Sequence, residues 1–175
     1  MQDNAVTSLR AYVGMGSNLG DRAGHLLLAV RGMMGAGLRV ARLSSIYETE
    51  PLDVPDQPHF LNLVAELIHP LPPPEQLLAR LLRVEYALGR QRVRQRGPRT
   101  IDLDLLAYGD ERRDTEFLTL PHPRLGERRF VLVPFAELAP EYVPPGANQT
   151  IRQILAATPD RAAVVRWSGG EASRR

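Results

Sequence analysis

The sequence predicts an α+β fold, one mostly antiparallel sheet with helices packed against it. Three observations carry the prediction. Two segments space their apolar residues as helices do, several runs alternate as half-buried strands do, and the segments follow in the order strand–helix–strand–strand–helix–strand. At 175 residues, 43% apolar and 24% charged, the chain is sized for one well-buried core. A single domain over residues 1–167 is expected, with a small polar tail, 168–175, that reads as disordered.

Taken in order, "LRAYVGMGSN" (9–18) reads as a first strand running into a glycine-containing turn. "DRAGHLLLAVRGMMGAG" follows, with Leu26, Leu27, Val30 and Met34 near helical spacing and Gly37 as its stop. "LRVARLSSIYETEP" alternates and reads as one second strand ending before Pro51, "LDVPDQPHF" as a proline-rich loop, and "FLNLVAELIH" as a third strand. "PEQLLARLLRVEYALGR" has proline and glutamate in its first turn, a face of Leu77, Leu78, Leu81 and Leu82, and Gly89 after its end, so it is a helix. An arginine-rich loop and the strand "TIDLDLLAYG" follow it. That order is the ferredoxin-like βαββαβ pattern. "LPHPRLGERRFVLVPFAELAPEYVPP" is expected to add a loop and short elements, and "TIRQILAAT" a short helix.

All 22 basic residues are arginine, and the net charge is only +2. The absence of lysine excludes a Walker A loop, a protein-kinase fold and Schiff-base chemistry. With no lysine, the charged groups the chain offers a phosphate are guanidiniums, whose planar fork suits bidentate contacts. No cysteine is present, which removes disulfides, thiolate metal sites and cysteine nucleophiles. No apolar run approaches the ~18 residues of a bilayer span. The start lacks the layout of a signal peptide, so a cytoplasmic protein is expected.

"GPRTIDLDLLAYGD" holds the densest chemistry. Alternation on a strand points Asp102 and Asp104 at one face and Ile101, Leu103 and Leu105 at the other. Neighbouring like charges repel unless water or a cation separates them. Arg90, Arg92, Arg94, Arg96 and Arg99 stand just upstream. Such a run can be a solvated loop or a nucleic-acid patch, but carboxylates among the arginines would repel a nucleic-acid backbone. A nucleotide bound with Mg²⁺ uses both, oxygen ligands for the metal and cations for the phosphates. "GMGSNLG" misses the dinucleotide fingerprint G-x-G-x-x-G, because its third glycine is one residue late, at Gly20. His122 could be a turn residue or a phosphate donor, with Thr119 and Arg128 at similar reach. Phe60 and Asn62 share a strand face, which suits either a flat heterocycle or an ordinary core.

Five segments decide between these readings: "GSNLGDR", "SSIYETEPL", "DQPHFLN", "GRQRVRQRGPRTIDLDLLAYG" and "LPHPRLGERRFVLVPFAELAP". In order and spacing, from about Tyr12 to Ile154, the chain resembles the 6-hydroxymethyl-7,8-dihydropterin pyrophosphokinases of folate synthesis. The resemblance implies a three-layer αβα sandwich and transfer of pyrophosphate from ATP to the pterin, with AMP released and two Mg²⁺ ions. It implies that Asp102 and Asp104 bind metal and that Arg90 and Arg99 serve the transferring group. Glu85, Arg92, Leu105, Thr119, His122 and Arg128 would contact ATP. Phe60 and Phe130 would sandwich the pterin ring, Asn62 would bond its polar edge, and Thr49 and Leu52 would belong to the loop beside it. The chain departs from the family at Arg96, where an aromatic is frequent, and at Pro123, where some members carry tyrosine. A monomer without nucleic-acid or membrane partners is expected.

Overall fold

A computed structural model describes residues 9–52, 54–90 and 97–169. The expectations for Arg92, Arg94 and Arg96, for the first residues, and for the tail from 170 onward lie outside the described residues. The elements run β1 (Arg10–Ser17), α1 (Arg22–Gly35), β2 (Arg39–Leu43), β3 (Tyr47–Thr49), β4 (Phe60–Ile68), α2 (Pro74–Ala87), β5 (Asp102–Tyr108), β6 (Arg113–Asp114), β7 (Thr119–Leu120), α3 (Arg129–Leu138), α4 (Ile151–Ala157) and β8 (Val164–Arg166). The main sheet has the order β5-β1-β4-β3-β8, with β2 also paired to β4, and every pairing is antiparallel.

Both helical crossovers skip a strand. β4 lies between β1 and β2, and β1 lies between β4 and β5, which is the split βαβ arrangement of the ferredoxin-like core. Both crossover helices therefore cover one face of the sheet. Leu26, Ala29 and Met33 of α1 and Leu77, Leu81 and Val84 of α2 bury there against Val13, Met15, Leu63 and Leu103. On the opposite face Leu132, Phe135 and Leu138 of α3 and Ile151 of α4 pack on Tyr12, Val64 and Leu106. The expected α+β, three-layer αβα architecture is what the chain adopts. Among the described residues no helix is long and apolar enough to cross a membrane.

Local details differ from the sequence reading, each for a packing reason. α1 is turned about its axis, so that Leu27 and Met34 are each 60% exposed while Ala29 is buried. A Cβ at Gly32 would lie 2.8 Å from Val84, so the two crossover helices approach too closely for bulky residues there. The expected second strand breaks into β2 and β3 at Ser44. Ser44 N–H donates to the Val64 carbonyl while its own Oγ accepts the Val64 N–H, a side chain standing in for one rung of the ladder. α3, read from sequence as loop and short elements, runs ten residues through Pro134. Its near-continuous apolar run and internal proline hide the helical period.

Candidate active site

The site begins with side chains that are missing. On the sheet face turned toward α3, Gly16 pairs with Asp102 of β5 on one side and with Asn62 of β4 on the other. Gly14 is likewise flanked by Asp104 and Val64. A Cβ at Gly16 would stand 2.8 Å from Asn62 Oδ1 and 3.7 Å from the Phe60 ring. The two glycines thus open a narrow slot of about 130 Å³ between the strands and α3. Thr49, Leu52, Phe60, Asn62 and Phe130, the residues expected at the pterin, all line it. Asn62 Nδ2 donates to Thr49 Oγ1 at 2.7 Å, which fixes the amide so that its oxygen faces the glycine gap. The Arg99 guanidinium lies 5.4 Å from the Phe60 ring centre and that of Arg128 5.5 Å from the Phe130 ring centre, so each aromatic carries a cation.

At the inner end of the slot stand the acids. Asp102 is held between two guanidiniums, Arg90 at 2.6 Å and Arg99 at 3.1 Å. The buried Glu85 takes Arg90 at 2.6 Å and also accepts the Leu103 N–H at 2.7 Å, so α2 grips β5 at the step between the aspartates. Burial, then the charges of Asp102 and Glu85, push the Asp104 carboxyl up to about 7. Burial likewise raises Glu85 above the usual carboxylate range, against the pull of the Leu103 N–H and Arg90. The donor set fits Mg²⁺. Among the described residues no group of three or more His, Cys, Asp or Glu could hold a metal ion by itself. Mg²⁺ takes one or two protein carboxylates and leaves its other positions to water and phosphate oxygens. Burial and like charge leave the Asp104 carboxylate undercompensated, which favours a cation beside it.

A second, wider cavity of about 370 Å³ lies on the other side of the aspartates. Glu85, Leu105, Thr119 and His122, four of the residues expected at ATP, line it together with Arg90, expected at the transferring group, and with Phe117 and Pro123. Burial and then the nearby Arg128 charge lower the His122 pKa, so the ring is neutral near pH 7. Its Nδ1 accepts the Arg124 N–H at 3.2 Å, which leaves the proton on Nε2 as a donor. Arg128, expected at ATP, lines the slot and not this cavity. Among the described residues Asp102 and Asp104 alone line both cavities.

Sequence reasoning gave no role to Asn18, which ties the two substrate-facing loops together. Its Oδ1 accepts the Arg99 N–H at 2.9 Å, and its Nδ2 donates to Gln57 Oε1 at 3.0 Å and to the Pro58 carbonyl at 3.1 Å. The backbone completes the link, Asn18 N–H to the Arg99 carbonyl at 3.2 Å. The only hint in the sequence was its place in "GSNLGDR", directly after the strand. Gly14 and Gly16 were legible there as a turn signal but not as the floor of a slot.

A ferredoxin-like protein whose paired aspartates divide a flat slot from an arginine-edged cavity is built as a phosphoryl-group transferase. The family model for 7,8-dihydro-6-hydroxymethylpterin-pyrophosphokinase (HPPK) matches residues 12–140. The chain is 46% identical over 148 residues to the 2-amino-4-hydroxy-6-hydroxymethyldihydropteridine pyrophosphokinase of Methylorubrum extorquens, covering 84% of this chain and 92% of that one. It is 41% identical over 158 residues to the Bacillus subtilis enzyme of the same name, covering 90% and 89%. It is also 41% identical to the folic acid synthesis protein fol1 of Pneumocystis carinii, but spans only 20% of that longer protein. Among solved structures, wild-type Plasmodium falciparum HPPK-DHPS shares the fold with a TM-score of 0.66 at 15% identity, over 85% of this chain and 44% of that one. The chain belongs to the 7,8-dihydro-6-hydroxymethylpterin-pyrophosphokinase family.

Proposed function

We propose that the chain transfers the terminal pyrophosphoryl group of ATP to the hydroxymethyl oxygen of 6-hydroxymethyl-7,8-dihydropterin in folate synthesis. The new bond joins that oxygen to the β-phosphorus, the bond from the β-phosphorus to the α-phosphate bridging oxygen breaks, AMP leaves and the hydroxyl proton goes to solvent. The observation that carries this reading is the meeting of the two cavities at Asp102 and Asp104. A heterocycle in the slot presents its substituent to the aspartates, and a nucleotide in the wider cavity presents its phosphates to them from the other side.

Two Mg²⁺ ions held by Asp102 and Asp104 would neutralise phosphate charge and acidify the attacking hydroxyl. The chain's own residues do the positioning. Phe60 and Phe130 hold the ring flat, while Asn62, fixed by Thr49, reads its polar edge. Arg90 and Arg99, already aimed at Asp102, stand where charge on the transferring group can be stabilised. His122 Nε2–H donates to phosphate. The test is to mix protein, Mg²⁺, ATP and the dihydropterin and follow the nucleotide product. AMP that forms only with the pterin is the expected result. ADP, or no turnover by folded protein, overturns the reading.

A further inference from the structure

We infer that residues 158–167 clamp the slot, setting the spacing of its β3 and α3 walls, with Asp160 as the positioning residue; the inference rests on the slot being the pterin site. This segment lies beyond the residues that the family model matches. It nonetheless grips both walls.

The first grip is on α3. The N-cap residue of α3, Arg128, offers no side-chain acceptor to the first-turn N–H groups. Asp160 supplies one from 31 residues away, its Oδ2 accepting the Arg129 N–H at 2.8 Å. A carboxylate at a helix N-terminus gains both the hydrogen bond and the favourable end of the helix dipole. Its Oδ1 accepts the Ala162 N–H at 2.8 Å, which fixes the carboxylate, and Arg129 Nε returns a bond to the Ala162 carbonyl at 3.2 Å. Arg129 sits between Arg128 and Phe130, the two α3-side residues with cation and ring in the slot. The second grip is on β3. β8 pairs Val164 with Thr49 and Arg166 with Tyr47, and the Trp167 N–H donates to the Ile46 carbonyl at 2.9 Å. Thr49 is the residue that fixes Asn62.

The remote end of α3 is tied to the β3 region directly. Tyr47 Oη donates to Glu137 at 2.6 Å and Ser45 Oγ at 2.9 Å. The end at the slot is tied through the clamp. Loosening Asp160 therefore lets α3 swing at the pterin end, displacing Phe130 and Arg128 while leaving the ATP cavity, built on α2, β5 and β7, in place.

The experiment compares Asp160→Ala and Asp160→Asn with the parent protein. Dihydropterin and ATP affinities are measured by calorimetry, and amide hydrogen exchange is followed across α3 and α2. Asp160→Ala should weaken dihydropterin about fivefold, the loss of a helix cap, and leave ATP within about twofold. Exchange should speed up at Arg129–Leu132 and not at Leu77–Val84. Asp160→Asn keeps one of the two acceptors and should fall between the parent and the alanine variant in both readouts. Parallel loss of both affinities, unchanged exchange in α3, or an asparagine variant as weak as the alanine one would overturn the clamp. Failure of the parent protein to bind dihydropterin would overturn the functional reading instead, and the exchange data would still decide whether Asp160 holds α3.

Discussion

Two clusters of acids and arginines sit on the same face of the sheet and reach opposite ends electrically. Glu66, 1% exposed, has one carboxylate for two guanidiniums, Arg10 at 2.8 Å and Arg42 at 2.7 Å. Arg42 also donates to the Leu138 carbonyl at 2.8 Å, tying sheet to α3. Burial works to raise the Glu66 pKa, but the Arg42 hydrogen bond and the two arginine charges prevail and hold it below the usual glutamate range. At the site, among the described residues, three carboxylates, Glu85, Asp102 and Asp104, share the paired arginines Arg90 and Arg99, and the Arg128 charge also reaches Asp104. There burial and like charge prevail, and Asp104 is pushed up to about 7. The residue types are the same; the ratio differs. A cluster whose cations outweigh burial is a brace, and one at the junction of two cavities where burial and like charge outweigh the arginines is prepared for a ligand that brings positive charge.

The contrast breaks most visibly under Asp102→Ala. Removing the acid held by both arginines should lower kcat for AMP formation by about 10³-fold or more, with the fold kept, because transition-state electrostatics are lost while core packing is untouched. A variant keeping a tenth of the parent rate would remove Asp102 from the machinery. Next comes the floor of the slot. Gly16→Ala puts a methyl 2.8 Å from Asn62 Oδ1. That oxygen must move, so dihydropterin affinity should fall about 10- to 100-fold, some 1.4–2.8 kcal/mol, with ATP affinity unchanged. Equal losses for both ligands would mean that the strand, and not the slot, had been disturbed.

The two clusters were unequally legible in the sequence. Asp102 and Asp104 were found because strand alternation is local, and a dyad repeat beside arginines is visible in fifteen residues. The order of elements gave the ferredoxin-like core for the same reason. Glu66 carries no local mark in the sequence, since its partners Arg10 and Arg42 are 56 and 24 residues away. Distance in sequence likewise hid Asn18 and Asp160, whose roles rest on hydrogen bonds to groups 31 to 81 residues away. The axial turn of α1 was misread because apolar spacing alone does not say how closely a second helix will approach. Gly14 and Gly16 show a further limit: the pattern marks where glycines stand, but only the cross-strand register shows what their missing side chains leave open.

The clusters should also give opposite pH signatures in the ligand-free protein. Asp104 has a folded pKa of about 7 against an ordinary 3.8, so between those values the folded state holds a proton that the unfolded chain gives up. Stability in that window therefore rises as the pH is lowered. Glu66 behaves in reverse. Its folded pKa lies below the ordinary 4.5, so its contribution is complete above that value and is lost as the pH falls through the folded pKa. Melting temperature measured from pH 8 to pH 3 separates the two. Asp104→Asn should raise Tm at pH 8 by about 2–8 °C, with the gain gone near pH 4. Glu66→Gln should lower Tm at pH 8 by about 2–4 °C, with the deficit closing below pH 4. Two changes of the same kind, each an acid made neutral, would then move stability in opposite directions, because the arginines about Glu66 outweigh its burial and those about Asp104 do not. If both variants lower Tm at pH 8, Asp104 is as well compensated as Glu66, and the site is not short of charge.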